Sequence, residues 1–196
     1  MYKVGITGGI GSGKSTIVRF FELKGIPVFI ADTEANILVN TSGKIRKKLT
    51  SLLGNDIYLS DQTLDRKKLA EYIFNNPDLM ERVNSIVHPE VRKHFEKWVK
   101  KQTSPYVIYE AAILFETGYY KSVDYTILVT APEEMRIARV MKRDNVSREK
   151  VEKRIVNQWA DEEKVKLADY IIKNDNSELL LPQLNNLHER MHKVKS

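Results

Sequence analysis

The stretch GITGGIGSGKST, residues 5–16, decides the fold of this chain because two patterns meet in it. A strand-like apolar run, YKVGIT at residues 2–7, leads into it, and the residues after it follow a helical pattern. Between the two, the spacing G-x-x-x-x-G-K-[ST] is met by Gly8, Gly13, Lys14 and Ser15. The sequence therefore predicts a strand, a phosphate-binding loop and a helix, in that order.

This motif gives its residues distinct chemical tasks. Glycines let the backbone turn consecutive N–H groups towards an anion at the start of a helix. Lys14 would place its charge on the β- and γ-phosphates of a nucleoside triphosphate, and the Ser15 hydroxyl would ligate Mg²⁺. A glycine-rich strand–helix turn with a capping serine is the alternative, which the full spacing of the motif in this context disfavours. The expected nucleotide-binding residues are Gly11, Ser12, Gly13, Lys14, Ser15 and Thr16, with Ser15 as the metal ligand.

Composition narrows the possible classes of protein. A chain of 196 residues, 42% of them hydrophobic, can bury one sizeable core with room for a small inserted subdomain. Cysteine is absent, which excludes disulfides and thiolate metal sites. No apolar run approaches the roughly 18 residues of a membrane span. We expect a cytoplasmic protein with no membrane partner.

Short apolar runs alternate with helical patterns along the chain. Runs of this kind are typical of strands buried in a parallel sheet. They lie at residues 2–7, 27–31, 106–111, 125–130 and 170–173. The alternation predicts an α/β fold, a doubly wound parallel sheet of about five strands.

About 75 residues without a strand pattern separate the second and third runs. They hold four helical patterns, at residues 42–54, 65–76, 76–87 and 88–101, the third with Asn76 as N-cap and Pro77 in the first turn. We interpret this stretch as a helical insertion that takes a second substrate. The predicted division is a core of 1–32, 103–135 and 165–196, a helical domain of 33–102 and a lid of 136–164.

The basic charge is concentrated in one segment. The chain carries a net charge of +6, and residues 136–154 hold eight Lys or Arg against three Asp or Glu, a net +5. One interpretation is a solvated helix face. The other, which we favour, is a lid whose arginines close on transferring phosphates. No aromatic-rich reader motif accompanies the charge, so nucleic acid is not an expected partner.

Asp32 ends the second apolar run, at the sheet edge where open α/β folds bind ligands. Its carboxylate could accept a hydroxyl proton or help to hold Mg²⁺. It could equally be the N-cap of the helix that follows. The spacing alone leaves both interpretations open.

Fragments spread over nearly the whole chain resemble the dephospho-CoA kinase family. They include the phosphate loop and DTEA at residues 32–35, which follows the second strand. The others are LDR (64–66), HP (88–89), LFE (114–116), VD (123–124), RVMKRD (139–144), RIVNQ (154–158), AD (168–169) and Asn174. The resemblance implies a P-loop kinase that moves the γ-phosphoryl group of ATP to the ribose 3′-hydroxyl of dephospho-CoA, the last step of coenzyme A biosynthesis.

The resemblance also implies roles for single residues. Asp32 matches the proposed general base for the attacking hydroxyl, and Arg139 matches a lid arginine near the phosphates. Arg143 and Asn174 would contact the nucleotide. The implied substrate-binding residues are Asp32, Arg66, His88 and Glu116. His88 could instead be a cap or packing residue at a helix start, and Glu116 a surface glutamate.

Three positions depart from the family pattern. Ile30 stands where an aspartate is common, so the Mg²⁺ shell would rely on Ser15, Asp32 and water. Ala112 replaces a proline, which could alter the end of the third strand, and Arg136 replaces a glutamine and adds a charge to the lid. We expect a monomer or a weak homo-oligomer.

Two other functions fit parts of the sequence. A kinase for another small acceptor, such as a nucleotide or a sugar acid, would share the loop and the lid. A GTP-binding switch would need an Asn-Lys-x-Asp motif, which IKNDNS at residues 172–177 does not supply.

Overall fold

A computed structural model describes residues 1–74 and 76–193. Its central element is a five-stranded parallel sheet with the strand order β2-β3-β1-β4-β5. The strands are β1 (Tyr2–Thr7), β2 (Val28–Ile30), β3 (Tyr106–Glu110), β4 (Tyr125–Thr130) and β5 (Tyr170–Lys173). The predicted parallel sheet is confirmed, and each strand lies within its apolar run.

Helices α1 (Lys14–Leu23) and α9 (Leu180–Lys193) pack on one face of this sheet. The core there joins side chains of both helices to those of four strands, β1, β3, β4 and β5. Its largest buried members are Phe21 of α1 and Tyr106 of β3. Helix α1 ends as the sequence predicts, because Gly25 takes a left-handed φ of 76° and the Ile26 N–H returns to the Phe21 carbonyl at 3.0 Å.

Three more helices lie between β4 and β5. They are α6 (Glu133–Asp144), α7 (Arg148–Val156) and α8 (Asp161–Val165). Asn145 ends α6 with a left-handed φ of 51°. A small apolar cluster packs α6 against α7 and the start of the phosphate loop. These helices belong to a compact unit of Met1–Ile30 with the chain from Gln102 onward.

The second compact unit, Ala31–Lys101, is helical. It contains α2 (Ala31–Thr41), α3 (Gly43–Leu53), α4 (Arg66–Ile73) and α5 (Pro77–Val99). Side-chain oxygens of Ser42, Asp65 and Asn76 accept hydrogen bonds from the first turns of α3, α4 and α5. Asp32 lies in this unit, and the predicted three-part division of the chain stays a prediction.

Helix α5 is one continuous helix, whereas the sequence predicted two, the first ending at residue 87 and the second beginning at residue 88. It runs through Pro89 without a break. Proline removes one backbone donor and costs about 3 kcal/mol relative to alanine in a helix interior. An apolar stripe continues across it, however, and its members Val83, Val87, Val91 and Phe95 are all buried. Burial of this stripe outweighs the local preference of Pro89.

Among the described residues, no helix combines the length and the apolar character that crossing a bilayer would require.

Candidate active site

Lys14 binds the first two carbonyl groups of the phosphate loop, residues 8–13. Lys14 Nζ donates to the Gly8 carbonyl at 2.8 Å and reaches the Gly9 carbonyl at 3.5 Å. The Ser12 N–H donates to the same Gly9 oxygen at 3.1 Å. The predicted phosphate-binding lysine therefore folds back over its own loop.

The later carbonyls of the loop are held by two residues from distant parts of the chain. Asn174, which follows β5, donates its Nδ2 to the Ser12 carbonyl at 2.8 Å. Arg139 of α6 reaches the Gly11 carbonyl with Nη1 at 3.5 Å and the Asn174 carbonyl with Nη2 at 2.9 Å. The structure thus brings the predicted residues Arg139 and Asn174 to the loop and to each other.

The N–H groups of the loop behave differently from its carbonyls. No described residue accepts a hydrogen bond from the N–H of Gly11, Gly13 or Ser15. Ser15 lies in the first turn of α1, where backbone donors have no partner within the helix and the helix dipole favours an anion. With the carbonyls of Gly8, Gly9, Gly11 and Ser12 bound and these amides available, the loop presents donors to a phosphate.

Two of the glycines are required by close approach. Gly13 has a φ of 96°, and a Cβ there would overlap Asn174 Nδ2. Gly11 has a φ of 79°, and a Cβ there would overlap the Arg136 carbonyl. Any other residue at these positions would push the loop away from the side chains that hold it.

Arg136, which the sequence predicts to add a charge to the lid, is buried beside the phosphate loop. Only 7% of it is exposed, and its guanidinium lies so close to Gly9 that a Cβ there would overlap Nη1. Its Nη2 is 3.6 Å from Glu133. Arg136 is therefore a buried part of the packing around the loop, rather than a solvent-facing charge.

The exposed arginines of the basic segment, residues 136–154, are largely engaged in ion pairs. Arg143 and Arg154 both contact Asp144, at 2.7 and 2.9 Å. The hydrogen bond from Arg143, more than any other contact, lowers the pKa of Asp144 to about 2. Arg148 bridges Glu134 and Glu152. The predicted nucleotide residue Arg143 is exposed and bound to its neighbour, and both interpretations of the segment stay open.

Asp32 lies in the first turn of α2, one residue after the helix begins at Ala31. The N-cap interpretation is therefore wrong, since β2 runs directly into α2 and leaves Asp32 within the helix. The side chain is exposed, and no described residue donates a hydrogen bond to its carboxylate. This carboxylate is available to a ligand.

His88 lies in the middle of α5, so the cap role considered for it is wrong. Burial lowers the pKa of its imidazole and the Arg92 charge adds to this, whereas the Asp32 charge acts in the opposite direction. Asp32 and His88 thus lie within electrostatic range of each other. Arg66 begins α4 and is exposed, and the preceding Asp65 caps that helix by accepting from Lys68 N at 3.0 Å.

Glu116 has internal partners. Its Oε1 lies 3.0 Å from Nζ of Lys164, which is fully buried, and accepts a hydrogen bond from the Trp159 N–H at 3.1 Å. Its Oε2 is buried and has no partner among the described residues. The surface-glutamate alternative is therefore wrong, and the substrate role stays a prediction.

Gln158 is the residue at the loop to which the sequence assigned no role. Its Oε1 accepts a hydrogen bond from the Ile10 N–H at 2.8 Å, and its Nε2 donates to the Ala112 carbonyl at 3.4 Å. The motif RIVNQ contains Gln158, but no pattern marks one glutamine after a helix as a partner of the loop. Lys164, within the charged run DEEKVK, gave no signal of burial either.

Comparison with known proteins agrees with this geometry. The family model described as dephospho-CoA kinase matches residues 2–179. The chain belongs to the dephospho-CoA kinase family. A dephospho-CoA kinase of Bacteroides fragilis strain YCH46 is 42% identical over 183 residues, which cover 93% of this chain and 89% of that protein.

Solved structures give the same result. A crystal structure from Thermus thermophilus is 33% identical with a TM-score of 0.85, covering 100% of this chain and 98% of that one. A dephospho-CoA kinase from Campylobacter jejuni is 26% identical with a TM-score of 0.70, covering 99% and 98% of the two chains. As a member of the family, the protein is a P-loop kinase.

Proposed function

We propose that this protein transfers the γ-phosphoryl group of ATP to the ribose 3′-hydroxyl of dephospho-CoA and releases coenzyme A and ADP. The observation that carries the proposal is the phosphate loop, whose carbonyls are bound by Lys14, Arg139 and Asn174 while the amides of Gly11, Gly13 and Ser15 have no acceptor among the described residues. The family match over residues 2–179 supports dephospho-CoA as the acceptor.

ATP would bind through its phosphates to the loop. The amides of Gly11, Gly13 and Ser15 would hold the β-phosphate. Lys14 would exchange its bonds to the loop carbonyls for bonds to the β- and γ-phosphates. Arg139 would place its charge where negative charge develops during transfer. Asn174 and Arg143 would contact the rest of the nucleotide, Arg143 after leaving Asp144.

Mg²⁺ fits the side chains present at the loop. The Ser15 side chain is exposed at the start of α1 with no hydrogen-bond partner among the described residues, and a hydroxyl oxygen is a hard ligand of the kind Mg²⁺ prefers. Asp32 and water would complete the shell. When bound, the ion would neutralise phosphate charge and hold the transferring group in line.

Asp32 would accept the proton of the 3′-hydroxyl as that oxygen attacks the γ-phosphorus. Its free, exposed carboxylate suits this task. His88, whose pKa lies below its usual 6.5, would be neutral at pH 7 and leave the negative charge of Asp32 uncompensated. Arg66 and Glu116 would contact the substrate. A single chain would supply all these residues. The protein would act in the cytoplasm as a monomer or a weak homo-oligomer.

Product analysis tests the proposal. Purified protein with ATP, Mg²⁺ and dephospho-CoA should give a new 3′-phosphomonoester in the ³¹P NMR spectrum and coenzyme A by mass. The 3′-deoxy analogue of dephospho-CoA is the matched control, because it lacks only the attacking oxygen and should give no such product. Phosphorylation of a nucleotide or a sugar acid, with dephospho-CoA unchanged, would contradict the proposed acceptor.

A further inference from the structure

We propose that Gln158 is a positioning residue for phosphoryl transfer, which fixes the first half of the phosphate loop through the Ile10 amide and is itself held by the buried Glu116–Lys164 ion pair. The inference deepens the proposed function and rests on it, since the loop that Gln158 holds is the one that would bind ATP.

The bond to Ile10 divides the amides of the loop between two tasks. The Ile10 N–H points to Gln158 Oε1 at 2.8 Å, whereas the N–H groups of Gly11 and Gly13 have no acceptor among the described residues. An N–H that is bound to a side chain cannot at the same time point at a phosphate. Gln158 therefore takes up the Ile10 amide and leaves the amides of Gly11 and Gly13 for the anion.

A glutamine suits this position because it needs both a donor and an acceptor. While Oε1 accepts from Ile10, Nε2 donates to the Ala112 carbonyl at 3.4 Å. The same carbonyl accepts from Thr7 Oγ1 at 3.3 Å, so Gln158 is tied to the end of β1 and to the chain after β3. Glutamate lacks the donor, and methionine, of similar length, lacks both groups.

The residues that follow Gln158 are anchored by the buried ion pair. The Trp159 N–H donates to Glu116 Oε1, which also pairs with Nζ of the fully buried Lys164 at 3.0 Å. A buried ammonium group is tolerated only beside an opposite charge, so Lys164 holds the Glu116 carboxylate in place. That carboxylate in turn fixes the backbone one residue after Gln158. The contact with Ile10 is thus supported from the core.

Loss of Gln158 should therefore disturb the loop without unfolding the sheet. A freed Ile10 peptide can rotate, and a displacement of about 1 Å at a transferring phosphate can cost about a hundredfold in rate. We expect both the affinity for ATP and the turnover to fall.

The test compares Gln158→Met, which removes both bonds, with Gln158→Glu, which keeps an acceptor for Ile10. In the Met variant the Ile10 amide should exchange with solvent at least about tenfold faster by NMR, as expected when a hydrogen bond worth about 1.4 kcal/mol is lost. The Kd for ADP should rise by a similar factor, and the thermal midpoint should stay near that of the wild type. In the Glu variant, exchange at Ile10 should stay slow.

Gln183→Met is the matched control. Gln183 also bonds backbone through both ends of its amide, to the N–H and the carbonyl of Lys173 at 3.0 Å and to the Leu179 carbonyl at 3.4 Å. Its loss should leave exchange at Ile10 unchanged. Unchanged Ile10 exchange and ADP affinity in Gln158→Met would overturn the proposal. Fast Ile10 exchange in Gln158→Glu would overturn it as well, and this second variant decides the question if Gln158→Met does not fold. Both readouts omit dephospho-CoA, so failure of the proposed acceptor would leave them unaffected.

Discussion

The phosphate loop and the residues predicted to bind the acceptor are prepared for their ligands in opposite ways. In the loop, Lys14, Arg139 and Asn174 hold the carbonyls, so the backbone is shaped before any ligand arrives. In the helical unit of residues 31–101, Asp32 and Arg66 are exposed, and no described residue donates a hydrogen bond to the Asp32 carboxylate or accepts one from the Arg66 guanidinium.

This difference follows from what each region must recognise. A phosphate is small and can be held by backbone amides in one fixed shape, for which preorganisation lowers the cost of binding. The acceptor groups act singly, each on a different part of a larger molecule. We infer that substitutions in the loop affect nucleotide binding, whereas substitutions in the helical unit affect transfer.

Lys14→Ala should have the largest effect. It removes a cation from the phosphates and breaks the bonds from Lys14 to the carbonyls of Gly8 and Gly9. Loss of one such contact costs on the order of 2.7–4 kcal/mol of transition-state stabilisation, so turnover should fall about 10²–10³-fold. The unfolding midpoint should change little. Arg19→Ala is the control on the same helix, because its surface pair with Glu22 should contribute to neither. Near-normal turnover of the Lys14 variant would overturn the role of the loop.

Asp32→Asn should have the next largest effect and should separate ATP binding from phosphoryl transfer. The amide keeps the size of the side chain but cannot accept the hydroxyl proton, a task worth about 10²–10⁴-fold. Loose transition states need less base assistance, so we expect turnover to fall about 10²-fold while the Kd for ATP stays largely unchanged. Glu34→Gln, in the same turn but paired with His94 at 3.2 Å, should leave turnover intact. Equal losses in the two variants would contradict a specific role for Asp32 as the base.

Arg139→Ala should weaken ATP binding more than Arg143→Ala does. Arg139 holds Gly11 and Asn174, and hydrogen bonds to charged groups contribute about 1.5–3 kcal/mol, so Kd should rise roughly tenfold to a hundredfold. Arg143 is exposed and must first leave Asp144, which reduces what it can contribute. Titration calorimetry with ATP and Mg²⁺ gives the order, and the reverse order would place the nucleotide nearer the end of α6.

Pro89→Ala tests the helical unit and should have the smallest effect, which is on stability rather than on activity. It restores a donor within the continuous α5, and the gain of up to about 3 kcal/mol is offset by about 0.4–1 kcal/mol of added freedom in the unfolded chain. We expect roughly 2 kcal/mol of added stability by urea unfolding. Pro77→Ala, at the first turn where proline is favoured, should give no gain. No gain at Pro89 would mean that α5 breaks there in solution.

The same two regions show how much of the structure the sequence could predict. The loop, α1 and the strands follow from local patterns, because glycine spacing and short apolar runs determine them within a few residues. Helix α5 does not, since Pro89 signals an end that only the buried stripe from Val83 to Phe95 overrides.

Long-range contacts at the site were predicted only in part. The family resemblance placed Arg139 and Asn174 near the nucleotide, but their hold on the loop carbonyls joins segments far apart in the chain. The burial of Arg136 and Lys164 carries no local signal, because charged residues in a charged run are usually exposed. Gln158 was missed because no local pattern marks one glutamine after a helix as a partner of the loop.

The most direct test of the central claim, that the loop is shaped before the nucleotide binds, is a ¹⁵N NMR titration of the ligand-free protein with ADP and Mg²⁺. We predict that slow exchange at the Ile10 amide is present before any addition and persists through the titration. The amides of Gly11, Gly13 and Ser15 should then show the largest shifts, in one binding step. An Ile10 amide that exchanges freely until ADP is added, or loop amides that do not shift, would contradict the account.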